Sequence, residues 1–414
     1  MAIISDLHIH SRFSRACSNQ ITIKNLEKYA RIKGVNLLGT GDFTHKKWYD
    51  EIIKETKEDE NGILRTDTGF PFIWQTEISL MYTQGGKGRR IHFVILAPNK
   101  GAVDQITEAL GKKGRLDYDG RPIFGFSAIE LVEMMQKISD KIEIIPAHIW
   151  TSFFGILGSK SGFNSFEECF QDKVKYIHAL ETGMSSNPSM NWRVSSLDKF
   201  AIVSFSDSHS FWPWRLGREA TIFDCDLIYE NIINCIRNKK GISTIEVNPA
   251  YGKYHFDGHR LCNVCFNPIE SKQNNNICPK CHKELTIGVL NRVEQLADRP
   301  ENYIPKNAPS FKSVVPLHEL IGASYSTKLL ASKTVWDVYN KLMIIFKNEF
   351  NILLDAKKSD LEKVVPEQLA ELIMLNRENK LKINPGYDGT YGELIDIDKV
   401  KTKNPKPQKS LSEF

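Results

Sequence analysis

The apolar positions of residues 1–250 fall into short runs separated by polar stretches. The runs "MAIISDL", "VNLLGTGDF", "PFIWQTEISL", "RRIHFVILAP", "IEIIPAHIW", "VKYIHALETG", "FAIVSFSDSH" and "ISTIEV" have the length and β-branched content of strands. Between several of them the apolar spacing changes to the helical period. "ITIKNLEKYARIKG" places Ile23, Leu26 and Ala30 on one face and ends at Gly34, a residue suited to a helix stop. "SAIELVEMMQKIS" and "DLIYENIINCIRNKKG" follow the same pattern. Alternation of this length predicts an α/β fold, either a parallel barrel or an open doubly wound sheet.

From about Tyr251 the texture changes. A cysteine-containing, asparagine-rich segment runs to about Gly288, and "RVEQLADRPENYIPKNAPSFKSVVP" reads as a linker rich in proline and polar residues. Helical patterns follow in "VWDVYNKLMIIFKNEFNILLDA" and "PEQLAELIMLNREN". Residues 399–414 carry five lysines and almost no apolar residues, so they are expected to form a flexible tail. The expected units are 1–250, 251–290, 291–398 and that tail. A chain of 414 residues is too long for one ordinary core. Its 41% hydrophobic and 25% charged residues are those of a globular protein, and a net charge of +5 permits an anionic partner without requiring one. No apolar run approaches the ~20 residues of a membrane span. The start "MAIISDLHIH" lacks the basic and apolar regions of an export signal. The expected setting is a reducing cytoplasm, in association with the nucleoid, where cysteines hold metal rather than form disulfides.

The chemistry sits at the ends of the strand-like runs. In "DLHIH", His8 and His10 are two apart and face the same side of an extended chain, with Asp6 on that side as well. Imidazole is the side chain most often recruited by zinc-like metals. Further runs end in Asp42 and His45, Glu77, His92, His148, and Asp207 with His209. In a barrel such ends converge on one mouth. Nine ionisable groups beside buried strands are costly unless they meet each other or a metal. Glu181, in "HALETG", ends another run as a ligand or as a support for one, and His178 on the opposite face is expected to meet the core or a helix.

A second constellation is "CNVC" and "CPKC". Cys262, Cys265, Cys278 and Cys281 form a C-x2-C-x12-C-x2-C array, whose four thiolates can enclose a structural zinc ion with no open position. His255, His259 and His282 lie close by, as supports or as surface, because four thiolates already complete a tetrahedron. The zinc region either staples a segment too small for its own core or presents Lys272, Lys280 and Lys283 to a nucleic-acid backbone. Cys17, Cys169, Cys225 and Cys235 lack metal spacing and are expected to be buried small apolar residues.

The ordered set "DLHIH", "GDFTH", "TEI", "RRIHFV", "PAHIW" and "SDSH" resembles the polymerase-and-histidinol-phosphatase (PHP) superfamily over roughly residues 1–248. The resemblance implies a distorted (β/α)7 barrel with two or three divalent metals, Zn2+, Mn2+ or Mg2+. It implies that His8, His10, Glu77 and Asp207 hold one metal, that Glu77 bridges to a second held by His92 and His148, and that His45 and His209 belong to a third. One departure is the pair of residues between Asp42 and His45, which are adjacent in many members. Paired metals suit phosphate-ester hydrolysis, because they clamp the attacking and leaving oxygens and lower the pKa of a bound water.

With the zinc region, the helical C-terminal region, "RVEQLADRP", "VVPLHELI" and "NPGYDGTYGEL", the whole chain resembles the endonuclease Q family. That implies a DNA repair enzyme cutting 5′ to uracil, hypoxanthine, xanthine and abasic sites, leaving 3′-hydroxyl and 5′-phosphate ends. The implied partner is DNA, a duplex carrying a lesion and single strands as a second form. The sequence names no sliding clamp or other repair partner, and a membrane is not expected. A deaminated base gains a carbonyl that a hydrogen-bond donor can favour, once the nucleotide is flipped out of the duplex. Candidates for lesion or DNA contact are Trp150, Phe153, Phe154 and Lys160 in "AHIWTSFFGILGSKSGF", and Trp212, Trp214, Arg215 and Arg218 in "SHSFWPWRLGRE". These aromatics have packing of the rim or of a domain interface as their rival role. "GYDGTYGEL" either meets DNA or folds back. The rival functions are a small-molecule phosphatase of the histidinol-phosphate type and a non-catalytic DNA-binding protein that uses the zinc region alone.

Overall fold

The computed structural model describes residues 2–395, so the tail 399–414 and the preceding residues 396–398 lie outside the described residues. The first strand, Ile3–Asp6, runs parallel to Leu37–Gly39, the two being joined through the helix Ile23–Lys33. Thr22 caps that helix by accepting a hydrogen bond from the Asn25 N–H, and Gly34 ends it at φ 98°, a conformation that favours glycine. Leu37–Gly39 is parallel in turn to Pro71–Gln84.

The sheet is mixed rather than all parallel. Pro71–Gln84 and Lys87–Ala97 are joined only by Gly85 and Gly86, both at positive φ, and so form a long antiparallel hairpin. Lys87–Ala97 continues to Glu143–Pro146, and on the other side of the first strand Ala220–Phe223 and Ile242–Glu246 follow antiparallel. Eleven strands join in this sheet. Ala179–Glu181 and Ala201–Val203 form a separate parallel pair. Backbone hydrogen bonds just past the strand ends attach this pair on both sides, from Ile149 N–H to the Glu181 carbonyl (3.1 Å) and from His10 N–H to the Ser208 carbonyl (3.0 Å). The carboxyl ends of these strands therefore lie side by side, which is where the histidines and carboxylates are.

The segment read as a linker is partly regular. Val289–Leu296 is a helix with Val293 in the core, and Phe311–Ser313 adds a strand parallel to Ile242–Glu246. The helices Leu317–Ser324, Lys333–Phe346 and Glu367–Arg377 share one continuous apolar cluster with residues of the main sheet, such as Leu38, Phe72 and Ile245. Packing thus runs unbroken across the expected boundary at 290. The long helical pattern after Trp336 breaks at Lys347, which takes φ 72°. The break turns Glu349 inward, where it accepts from Lys33 Nζ (2.7 Å), Leu317 N–H (3.0 Å) and the Tyr339 hydroxyl (2.9 Å). Both Lys33 and Glu349 are fully buried, so each charge depends on the other.

Glu349→Ala should therefore destabilise the protein by about 3–5 kcal/mol, because it strands a buried ammonium. Denaturant unfolding of the purified variant checks this, and an unchanged midpoint would contradict it.

Candidate metal centre

Glu77 lies in the strand Pro71–Gln84 and is completely buried. Its two oxygens face imidazoles from several other strand ends. Oε1 is 2.8 Å from His92 Nδ1, 3.3 Å from His148 Nε2 and 3.4 Å from His8 Nε2. Oε2 is 3.2 Å from His10 Nε2 and 3.0 Å from Arg121 Nη1. Asp207 Oδ1 completes the arrangement, 3.1 Å from His10 Nε2 and 3.7 Å from His8 Nε2. Two sets of ligand atoms result, each with all members within 4.8 Å of one another: His8, His10, Glu77 and Asp207, and Glu77, His92 and His148. Glu77 belongs to both.

Several features fit these sets to metal cations. His8 Nε2 and His92 Nδ1 are buried without a hydrogen-bond partner, although each lies beside a Glu77 oxygen. Burial favours the neutral carboxyl form of Glu77, but His92, Arg121 and His8 hold its pKa well below the usual value. Asp207 is likewise held down against burial by His209, His10 and His8. Burial pushes His92 down to about 4, while, against burial, Glu181 and Glu77 raise His8, and Asp42 and Asp207 raise His10, so a metal would take the place of the protons these two imidazoles hold. Mixed nitrogen and oxygen donors of this kind suit zinc, manganese or magnesium.

The opposite nitrogens of the first two histidines are fixed from behind. His8 Nδ1 meets Glu181 Oε1 at 2.8 Å, and the other Glu181 oxygen accepts from the His148 N–H at 2.7 Å. His10 Nδ1 meets Asp42 Oδ1 at 3.0 Å, and Asp42 Oδ2 accepts from the Ser11 N–H at 2.6 Å and the Ser14 hydroxyl at 2.9 Å. A carboxylate on the far nitrogen sets the tautomer and aims the near one at the metal. Asp42 and Glu181 are thus supports rather than members of either set. Asp42, His148 and Asp207 all sit at positive φ (36°, 32° and 47°) just beyond strand ends, conformations that cost energy in non-glycine residues and turn these side chains inward. Gly183 leaves room for this, since a Cβ there would lie 2.7 Å from that of His148.

Several sequence expectations need correction. Asp6 does not join His8 and His10. Its carboxylate turns back to accept from the Ser206 (2.9 Å) and Gly217 (2.8 Å) N–H groups. His45 and His209 belong to neither set, nor to any other among the described residues. His45 begins the helix Lys46–Glu55 and lies flat on Phe13, with ring centroids 4.4 Å apart. The His209 ring folds back onto the Asp207 carbonyl (3.0 Å) and lies 4.7 Å from the His10 ring.

The aromatic candidates separate as well. Trp150 is wholly buried and donates to Asn191 Oδ1 (2.8 Å), so it is core. Trp212 and Trp214 stack at 5.3 Å and pack against Trp336 of the helix Lys333–Phe346, which makes them part of the joint with the C-terminal helices. Arg218 donates to the Ser206 carbonyl, and Arg215 lies over the Tyr391 ring. Phe154 does border the metal centre, its ring centroid 4.5 Å from that of His92, while half-buried Phe153 turns to Tyr254 and Lys160 is exposed on the same loop. The "GYDGTYGEL" segment folds back. Tyr387 donates to Asn263 Oδ1 (2.7 Å) and Gly386 accepts from the Phe256 N–H (2.9 Å). His178 Nδ1 meets Glu143 Oε1 at 2.9 Å, away from Glu181. Of the remaining cysteines only Cys169 is buried, while Cys17, Cys225 and Cys235 are partly exposed.

In the cysteine region the convergent set is His259, Cys262, Cys278 and Cys281. Cys265 is absent from it and His259 takes its place. The strands Asp257–His259 and Val264–Phe266 pair so that His259 lies opposite Val264, which packs with buried Cys278. Cys265, one residue further on, points to the other face. Burial would raise the Cys278 thiol, but the Lys280 and Cys281 N–H groups bring it down to about 6, so it is available as a thiolate ligand. One residue was read only as a support or as surface, and another escaped the sequence reading. The cysteine spacing alone seemed to complete a tetrahedron without His259, and Arg121 sits in a polar turn with no apolar run to mark it.

Two outcomes follow for metal content measured by elemental analysis. Glu181→Gln should weaken binding at the histidine–carboxylate sets by about 10–100-fold, since it loosens His8. Cys265→Ser should keep the metal of the cysteine region, and His259→Ala should lose it. The reverse pattern would restore the four-cysteine assignment.

Residues 316–380 match a family described as the MJ0043 C-terminal domain. Over 251 residues, 59% of this chain, the sequence is 32% identical to the protein MJ0043 of Methanocaldococcus jannaschii, and that stretch spans 30% of the relative's length. The crystal structure of the lesion-specific endonuclease PfuEndoQ from Pyrococcus furiosus is similar with a TM-score of 0.84 and 29% identity, over 95% of both chains. An endonuclease Q in complex with a 27-mer duplex substrate bearing an abasic lesion at its active site is similar with a TM-score of 0.85 and 30% identity, over 95% of this chain and 96% of that one. With that identity sustained along both molecules, the chain belongs to the endonuclease Q family.

Proposed function

We propose that this protein is a metal-dependent DNA repair endonuclease that cuts the phosphodiester 5′ to deaminated bases and abasic sites. The observation that carries the reading is the shared Glu77, which joins two convergent ligand sets at one mouth. It stands in a chain similar over 95% of its length to an endonuclease Q caught on abasic duplex DNA. On this reading the sheet and its attached strand pair form the distorted PHP barrel. The support is the chain of backbone hydrogen bonds that returns from Ser208 to His10.

His8, His10, Glu77 and Asp207 would hold one divalent metal, and Glu77, His92 and His148 a second. His259, Cys262, Cys278 and Cys281 would hold a structural zinc ion. The catalytic metals, when bound, supply Lewis acidity and a water of lowered pKa. The chain's own contribution is placement. Asp42 and Glu181 aim the imidazoles, and the buried strands exclude bulk water from the ligand sets. In the reaction the water oxygen bonds to phosphorus as the P–O3′ bond breaks, which leaves a 3′-hydroxyl and a 5′-phosphate. Half-exposed Phe154, leaning on His92, is positioned to meet a flipped nucleotide beside that phosphate.

A duplex carrying one deoxyuridine, deoxyinosine or abasic site, incubated with the protein and Mn2+ or Mg2+, should acquire one nick 5′ to the lesion. Asp207→Asn should abolish the nick and leave duplex binding in place. Intact strands, with metal shown to be bound, would overturn the proposal.

A further inference from the structure

We propose that Arg121 binds a non-bridging oxygen of the scissile phosphate and is a catalytic residue of this protein, an assignment that rests on the phosphodiesterase reading above. Arg121 follows Gly120 in the turn before the short strand Ile123–Phe124, and its guanidinium reaches the metal centre. Nη1 is 3.0 Å from Glu77 Oε2, the carboxylate that both ligand sets share. The side chain is 22% exposed, so it keeps some contact with solvent beside the ligand sets. Arginine presents five N–H donors in a planar fork, a shape that matches phosphate. Among the described residues the Arg121 side chain makes only the Glu77 hydrogen bond. Two other arginines of this region have protein partners away from Glu77. Arg12 bridges to Glu51, and Arg218 uses two nitrogens on the Ser206 carbonyl.

The turn is built to hold that position. Asp119 is buried and accepts from the N–H groups of Arg15 (3.3 Å) and Arg121 (3.1 Å). The Gly120 N–H donates to the Phe13 carbonyl (3.1 Å). A Cβ on Gly120 would overlap Asp42 Oδ2 and Ser14 Oγ, so the turn lies directly on the groups that aim His10. The segment that carries His10 and the turn that carries Arg121 are thus locked together, and the guanidinium is fixed relative to the ligand sets. With metals held at Glu77, the guanidinium would lie beside two cations with donors that no protein group among the described residues satisfies. The group that satisfies it there is the phosphate, whose negative charge grows as the fifth oxygen bonds to phosphorus. A plain counter-ion for Glu77 would need neither the free donors nor the anchored turn.

The test compares wild type with Arg121→Ala and Arg121→Lys on a duplex carrying one abasic site, under single-turnover conditions with saturating Mn2+. Loss of a donor aimed at developing charge should slow cutting by about 10²–10³-fold in Arg121→Ala. Arg121→Lys should recover only part of it, and added guanidinium ion should partly rescue the alanine variant. Mn2+ titration should show undiminished metal binding in Arg121→Ala. Inorganic phosphate should bind the Mn2+-loaded alanine variant about 10–100-fold more weakly than it binds wild type. Cutting at the wild-type rate, or phosphate binding unchanged in the metal-saturated variant, would overturn the assignment. So would cutting lost in step with bound metal. Should wild type bind Mn2+ and phosphate yet leave the lesion duplex intact, the substrate proposal fails and the phosphate titration alone decides the role of Arg121.

Discussion

A single buried carboxylate sets the terms for this molecule. Glu77 has no exposure to solvent and lies within 3.4 Å of imidazoles from His8, His10, His92 and His148 and of the Arg121 guanidinium. A charge so placed is tolerable only when cations surround it. Those partners are drawn from four chain segments, so the surrounding strands must keep their register for the site to exist. The long hairpin Pro71–Ala97 carries both Glu77 and His92, and its paired strands hold them in fixed relation. The strained backbones of Asp42, His148 and Asp207 are the local cost of turning functional groups inward from strand ends.

The rest of the chain reinforces that arrangement instead of forming detached modules. Trp212 and Trp214, a few residues past Asp207, stack into the C-terminal helices, so the last ligand loop is braced by a segment more than a hundred residues away. Lys33 and Glu349 tie the first helix to the same region through a buried ion pair. The cysteine region is small, with Val264, Cys278 and Leu285 as its buried apolar cluster, and a metal held by its convergent set would supply the cohesion that so few side chains cannot. Its contact with "GYDGTYGEL" through Tyr387 and Asn263 links the far end of the chain back to it.

His8, His10, His148 and Asp207 were legible in the sequence because each follows an apolar run, and strand ends are where an α/β fold gathers its chemistry, whereas Glu77 and His92 stand in mid-strand on the long hairpin. The helix Ile23–Lys33 and its stop at Gly34 were equally plain from spacing. What misled was chemistry judged without its surroundings. His45 looks like a ligand from its place just after Asp42, but its nitrogens fall outside both convergent sets, and Trp150 looks like a wedge until its indole N–H is seen to meet Asn191 in the core. Cys265 fits the spacing of a four-thiolate site, but strand alternation sends it to the wrong face and brings in His259. Arg121 carried no signal because its position depends on backbone contacts between the turn 119–121 and the segment 13–15, which no local pattern encodes.

The central claim is that Glu77 is shared by two metal ions, and anomalous scattering at the manganese edge from Mn2+-soaked crystals tests it most directly. The account predicts two peaks about 3.5–4 Å apart. One should lie among His8, His10, Glu77 and Asp207, and the other among Glu77, His92 and His148. A single peak, or peaks that leave Glu77 uncoordinated, would contradict it.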